Sequence, residues 1–237
     1  MQISIRGAFG TQLFEYISGN TQAKKNNEIV DRVLINAGST IWDANKVDWL
    51  SQIIQVPQPV DIVTGMQKQG VWKNPNLLKD ICDNKLFVST LKLTRPIQKN
   101  AYKILHVGSQ SAIAVGSQRA IADVDDYVRW MKHIGNDVKL IGDDNNHITT
   151  IINKAGFGQN VSTTELNDWH LCIGCAELYC AFTNFALSAM LFDPTKPFQM
   201  LDPKSVNGAV RIADECYAGV QQLFDNYFIN SGWKVCQ

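Results

Sequence analysis

Short β-branched runs alternate along this chain with stretches whose apolar residues recur every three or four positions. The first run is Ile3–Ile5. It breaks at Gly7 and Gly10, and Leu13, Phe14, Ile17 and Thr21 then mark one face of a helix that Lys24-Lys25-Asn26-Asn27 ends. Glu28–Val30 and Val33–Ile35 read as short strands or one bent strand. Residues 36–60 carry no clear period, and Pro57 and Pro59 argue against helix there. Val60–Val63 suggests another strand, and Asn74-Pro75-Asn76 suggests a helix start leading into Leu77, Leu78 and Ile81.

A shift in composition over residues 92–101 marks a linker, and a regular alternation follows it. Tyr102–Val107, Val138–Ile141, Val161, Leu178–Phe182 and Pro197–Leu201 read as strands. Asp123–His133, Ile148–Ala155, Thr164–Glu177 and Ala186–Leu191 read as helices, with Gly156 just past the end of the second and Thr183-Asn184 at the start of the fourth. Strands separated by helices at this spacing predict a mostly parallel sheet. The last helix is expected over about 208–228, where Val210, Ala213, Tyr217, Val220, Phe224 and Tyr227 share one face. The chain therefore predicts two α/β domains, residues 1–97 and 101–237, with the final helix crossing or lying beside both.

Composition narrows the classes. The 237 residues are 45% hydrophobic and 19% charged, enough to build real cores. Lys and Arg together number 22, as do Asp and Glu, so no global field draws the chain to nucleic acid or an anionic membrane. No apolar run reaches the length of a membrane span, and the first residues lack a signal-peptide core before Arg6 and Gly7. The expectation is a soluble cytoplasmic protein with no nucleic-acid partner and no integral membrane segment. Cys172, Cys175 and Cys180 cluster beside His170, but no second Cys/His pair completes a zinc set, and buried free thiols are the better reading. Asp123-Val124-Asp125 has the spacing of a cation-binding triplet but stands at a helix start, where acidic residues favour the dipole. No metal and no cofactor are expected.

The opening corner is the first place for chemistry. A strand, a glycine turn and a helix N-terminus over Ile3–Tyr16 bring unpaired backbone N–H groups to a point where a ligand can approach closely. The glycine spacing is not the dinucleotide fingerprint, because no third glycine follows Gly7 and Gly10 in the helix start. Gly7, Gly10, Gln12, Leu13, Phe14 and Tyr16 match the opening Gly-Gly-Leu-Gly-Asn-Gln-Leu-Phe-Gln-Tyr-Ala of the α-1,2-fucosyltransferases, with Thr11 in place of Asn. The resemblance continues in order through the chain. Gly65 and Gln67 fall in a segment similar to Gly-Tyr-Phe-Gln, and Leu105-His106-Val107 resembles the start of His-Val-Arg-Arg-Gly-Asp. Ile141-Gly142-Asp143-Asp144 resembles Phe-Ser-Asp-Asp, and Thr183, Phe185 and Ala189 stand in register with Ser-x-Phe-Ser-x-x-Ala.

That resemblance implies a GT-B-like α/β glycosyltransferase, with two Rossmann-like domains facing a cleft. It implies an inverting, metal-independent transfer of a sugar, with fucose from GDP-fucose as the family's case, to a glycan hydroxyl. The donor would lie on the second domain against Gly108, Ser109, Asp143, Asp144, Thr183, Asn184 and Phe185, with Gly7, Gly10, Gln12 and Gln67 on the acceptor side. The departure is at the phosphate-holding arginine of the family, whose place is Gly108, with Ser109 and Ser111 replacing the next Arg and the Asp. Losing such an electrostatic group typically costs about 2–4 kcal/mol of barrier. Arg119 and Arg6 are the candidates to replace it. Otherwise the donor differs, or the chain is a non-catalytic sugar- or nucleotide-binding relative. His106, near a strand end, is the histidine in family register for a catalytic role. Glu15 reads as solvated surface, and His133, His147 and His170 carry no assignment.

Overall fold

The computed structural model describes residues 1–5, 7, 9–37, 48–64, 77–108, 122–202 and 214–234. The protein is α/β, and every strand pair in its two sheets is parallel. It divides into two compact units, residues 1–96 with 218–227, and residues 97–217 with 228–237.

In the first unit, β1 (Gln2–Ile5), β2 (Arg32–Ala37) and β3 (Val60–Thr64) form a sheet in the order β1-β2-β3. Helix α1 (Phe9–Lys25) joins β1 to β2, and α2 (Trp49–Ile53), α3 (Leu77–Asp83) and α4 (Lys85–Thr90) complete the described elements there. The predicted stripe Leu13, Phe14, Ile17 and Thr21 is buried, but so is nearly all of the first half of α1, Glu15 included, at 3% exposure. That overturns the reading of Glu15 as solvated surface. α1 packs against β1, α2 and α3, so it has neighbours on more than one side. Helix α2 was not expected. It is only five residues long, too short to show a period, and it ends before Pro57 and Pro59, so those prolines never oppose it. Asp48 starts it by accepting a hydrogen bond from the Ser51 N–H.

The α1–α3 contact is polar at its centre. Asp80 on α3 is fully buried and accepts from Ser18 (2.7 Å), Gln22 (3.0 and 3.1 Å) and Lys25 (2.9 Å). Those three donors recur at steps of four and three along α1, so one helical face grips one carboxylate. Burial alone would raise the Asp80 carboxyl. The hydrogen bonds from Ser18, Lys25 and Gln22, with the Lys25 charge, outweigh it and hold the group below the usual aspartate value.

In the second unit, β4 (Lys103–His106), β5 (Val138–Ile141), β6 (Gln159–Asn160), β7 (Glu177–Cys180), β8 (Phe198–Leu201) and β9 (Ser231–Lys234) form a six-stranded sheet in the order β6-β5-β4-β7-β8-β9. Helices α5 (Val124–Ile134), α6 (Asn145–Ala155), α7 (Glu165–Gly174) and α8 (Asn184–Met190) connect them, and α9 (Asp214–Asn226) precedes β9. Counted from β4, this is the order of the doubly wound dinucleotide-binding fold, which grows outward in one direction and then returns to its first strand to grow in the other. Alternation along the strands sorts the core into two faces. Leu105, Val107, Leu140, Tyr179 and Leu201 pack with Tyr127, Val128 and Met131 of α5 and with Ile148 and Ile151 of α6. Ile104, Leu178, Phe198 and Met200, of the other parity, are also fully buried. α7 and α8 are tied by a hydrogen bond from the Trp169 indole to the Ser188 hydroxyl at 2.9 Å.

Element ends follow local chemistry. Asp123 and Asp126 form a reciprocal capping box at the start of α5, and Asp125 pairs with Lys154, so this acidic triplet is a helix cap and a surface ion pair. Gly156 ends α6 at φ 80°, a left-handed conformation suited to glycine. The last residue of α7, Gly174, has no room for a side chain: a Cβ there would sit 2.2 Å from the Gln98 carbonyl oxygen. The start expected for the final helix, near residue 208, lies outside the described residues. Within the described residues the helix runs from Asp214 to Asn226 and is followed by a strand, and residues 218–227 belong to the first unit. Gly219 lies against Leu78, and the Lys85 ammonium stands 5.6 Å over the Tyr227 ring, contacts that the apolar period of the helix does not specify.

Candidate functional site

The strand order of the second unit reverses between β4 and β7, and open α/β sheets bind ligands at the carboxyl ends of the strands flanking such a point. β4 ends at His106, whose register partners are Ile141 on β5 and Cys180 on β7. After β7 the chain turns through Ala181 and Phe182 into α8. The His106 ring stacks on Phe185 with centroids 4.8 Å apart and planes 18° apart, and its Nδ1 lies 3.5 Å from the Thr183 hydroxyl. Thr183 Oγ1 also accepts the Ala186 N–H at 3.2 Å and so caps α8. His106 is 8% exposed, while Asn184 and Phe185 are half-buried. Three residues expected at the site, His106, Thr183 and Phe185, are thus brought together across the reversal.

The floor beside them is built by glycines with different reasons to be glycine. The Gly108 N–H donates to the Tyr127 hydroxyl at 2.9 Å. Burial, the leading influence, pushes the Tyr127 phenol far up, so it stays neutral. A Cβ on Gly108 would meet only ordinary contacts, 3.6 Å from the Tyr127 oxygen and 3.9 Å from the Thr183 methyl. Gly142, the residue after β5, has no such room: a Cβ would lie 2.5 Å from the Val107 carbonyl oxygen. Packing explains glycine at 142 and leaves glycine at 108 unexplained.

Asp143 is exposed, and Asp144 is a helix cap that accepts the His147 N–H at 3.0 Å. His147 is buried, with its ring edge-on to Tyr127 at 5.9 Å and no partner for Nε2. Burial depresses its pKa and keeps the imidazole neutral. The sequence gives His147 no assignment, and Tyr127 falls on the apolar face of the helix expected over Asp123–His133 with none either. A tyrosine on that face is chemically distinct because its hydroxyl needs a partner, and that was the signal available.

In the first unit, Gly7 adopts φ 87°, which favours glycine, and it turns the chain from β1 into α1. Gln12 is 2% exposed; its Nε2 donates to the Gly7 carbonyl at 3.0 Å and its Oε1 accepts the Leu50 N–H at 3.1 Å. The side chain expected on the acceptor side thus ties the turn to α2, and Gly10 is buried inside α1. Arg6, Gln67, Ser109 and Arg119 lie outside the described residues. Cys172, Cys175 and Cys180 are buried free thiols; burial pushes Cys175 up to about 11. Among the described residues no group of three His, Cys, Asp or Glu side chains is placed to hold a metal ion. No described helix is long and apolar enough to cross a membrane.

No family model matches the sequence. No curated protein matches it either. Two solved structures are similar at low identity. One is a Listeria monocytogenes protein assigned as a UDP-N-acetylglucosamine 2-epimerase, at 11% identity and a TM-score of 0.36, over 90% of this chain and 66% of that one. The other is KpsC of Thermosulfurimonas dismutans, a β-Kdo 2,7 transferase, at 13% identity and a TM-score of 0.31, over 77% of this chain and 67% of that one. The chain thus spans about two thirds of each, and at these scores neither carries the fold or the function.

Proposed function

We propose that the second unit binds a nucleoside diphosphate-sugar at the ends of β4 and β7 and that the chain transfers its sugar to a glycan hydroxyl. The observation that carries this is the convergence of His106, Thr183 and Phe185 on the point where the parallel strand order reverses. The transfer is inverting and metal-independent, and the donor is GDP-fucose, as the motif resemblance implies. Chemically, the acceptor hydroxyl must lose a proton as it attacks, and the leaving diphosphate gains charge. His106 is assigned the proton, since a histidine accepts one near neutral pH. The diphosphate needs a cation, and with glycine at 108 that part falls to Arg119 or Arg6. Gly7, Gly10, Gln12 and Gln67 are assigned to the acceptor side on the same resemblance.

Calorimetry against a panel of nucleoside diphosphates and nucleotide sugars tests the reading. An NMR titration with GDP should shift the amides of Gly108 and Thr183–Phe185, and hardly those of 48–56. No shift at either loop at saturating nucleotide would count decisively against it. Converting the true diphosphate-binding arginine to Ala should lower turnover about a hundredfold, as loss of charge stabilisation in the transition state does. One observation favours a second reading, a binding module without transfer: at 108 no side chain reaches the ligand, and the N–H is already given to Tyr127. Binding without turnover of any donor in the panel selects that reading. Gly108→Arg is then the informative rescue, because the site has room for a Cβ.

A further inference from the structure

We propose that Asp168 is a positioning residue that works as a neutral carboxylic acid, holding the end of β5 in place through Ser162. The inference rests on hydrogen bookkeeping around one hydroxyl. Along β5, backbone groups alternate between neighbours. The Leu140 carbonyl accepts the Val161 N–H on the β6 side at 3.0 Å, and the Ile141 carbonyl accepts the Val107 N–H on the β4 side at 2.8 Å. Gly142 should turn back to the β6 side, and it does, but β6 has ended and no strand backbone is left for it. The Ser162 side chain takes that place. Its Oγ lies 2.7 Å from the Gly142 carbonyl oxygen and 3.4 Å from the Gly142 nitrogen, so it donates to the one and accepts from the other.

A serine hydroxyl carries one hydrogen and two lone pairs. Its hydrogen is committed to the Gly142 carbonyl, which can only accept. Yet Ser162 Oγ is also hydrogen-bonded to Asp168 Oδ2. Two acceptors cannot share that contact, so the proton between them belongs to Asp168, and the acid donates to Ser162. The other oxygen, Oδ1, accepts the Thr163 N–H at 2.9 Å and the Thr163 hydroxyl at 3.3 Å. Every contact in the chain Asp168, Ser162, Gly142 then pairs one donor with one acceptor, and an ionised Asp168 would leave one contact repulsive.

The surroundings agree. Asp168 is 5% exposed on the first turns of α7. Burial is the leading influence on it and outweighs the hydrogen bonds that would favour the anion. Cys172, one turn along α7, is coupled to it and is itself a thiol pushed up by burial, while Asp143 and Asp144 follow Gly142 directly. Among the described residues no cation is set against the acid to offset its burial. What the acid holds matters for the site proposed above, because Gly142 packs against the Val107 carbonyl and sets where β5 delivers Asp143 and Asp144. The functional part of this inference depends on that site; the protonation does not.

The test has two arms. A carbon NMR titration of the aspartate carboxyls in the intact, ligand-free chain should show Asp168 ionising above the ordinary aspartate range, with the Gly142 amide following the same midpoint. Asp168→Asn keeps a donor toward Ser162 and should abolish that pH-dependent shift of Gly142. Ionisation of Asp168 with ordinary aspartates, or a Gly142 shift that persists in the variant, overturns the proposal. The wild-type titration needs no variant, so poor folding of Asp168→Asn would leave the decision intact. In the second arm, GDP affinity should fall about tenfold as Asp168 ionises, the loss of one buried hydrogen bond, and should be flat with pH in Asp168→Asn. Wild-type affinity that ignores the Asp168 midpoint overturns the positioning role. Absence of GDP binding at every pH refutes the ligand, while the first arm still decides the protonation.

Discussion

Replacing Asp80 with Ala should unlock α3 from α1, and the size of the effect follows from the donors that lose this carboxylate. Ser18 is 4% exposed and loses its 2.7 Å acceptor inside the protein. Losing a buried hydrogen bond to a charged acceptor costs about 1–3 kcal/mol. Gln22 and Lys25 lose acceptors too, but the Lys25 side chain is 47% exposed and turns to water, so its share is screened and below about 1 kcal/mol. Loss of the two amide contacts from Gln22 and the small cavity bring the total to about 3 kcal/mol, the low end for breaking a buried charged cluster. At about 2–4 °C per kcal/mol for a chain of this size, the transition that reports the first unit should fall by roughly 6–12 °C in calorimetry. The pH dependence supplies a second check. The folded-state Asp80 carboxyl lies below its unfolded value, so its stabilisation is fully present above the unfolded value near about 3.9 and is lost as pH falls through the folded value. The gap between wild type and Asp80→Ala should therefore be constant near neutrality and close in acid. A variant within about 0.5 kcal/mol of wild type at pH 7 refutes the reasoning, as does a gap that does not shrink in acid.

Further outcomes can be checked with the same instruments. Gly142→Ala should destabilise the second unit by about 1–3 kcal/mol, since its Cβ meets backbone at 2.5 Å, whereas Gly108→Ala should be near neutral with contacts of 3.6 and 3.9 Å; equal melting shifts would refute the distinction. Tyr127→Phe should cost about 1–3 kcal/mol by leaving the buried Gly108 N–H without an acceptor, and Gly108 amide exchange should quicken; unchanged exchange would show that another group accepts the amide proton.

The sequence by itself determined the elements, because their causes are local. Short apolar runs became β4, β5 and β8, the segments opening at Asp123, Thr164 and Thr183 became helices, and Gly156 ended α6. Alternation of those elements made the α/β class and the parallel sheets legible, and the strand ends near His106 and Gly142 follow from the elements, while β7 ends at Cys180, two residues before the expected Phe182. Tertiary structure decided what touches across long separations. That β4 lies between β5 and β7 is a matter of pairing order, which no periodicity encodes, and it alone brings His106 to Phe185. The burial of Glu15 and Asp80 depends on helices packing from more than one side, with Ser18 and Asp80 62 positions apart. The split of α9 between the two units rests on Leu78 and Lys85, which its own apolar face cannot name. Asp168 shows the same division: its place at a helix start is local, but the proton it carries is set by burial and by one serine hydroxyl already committed to the backbone of Gly142.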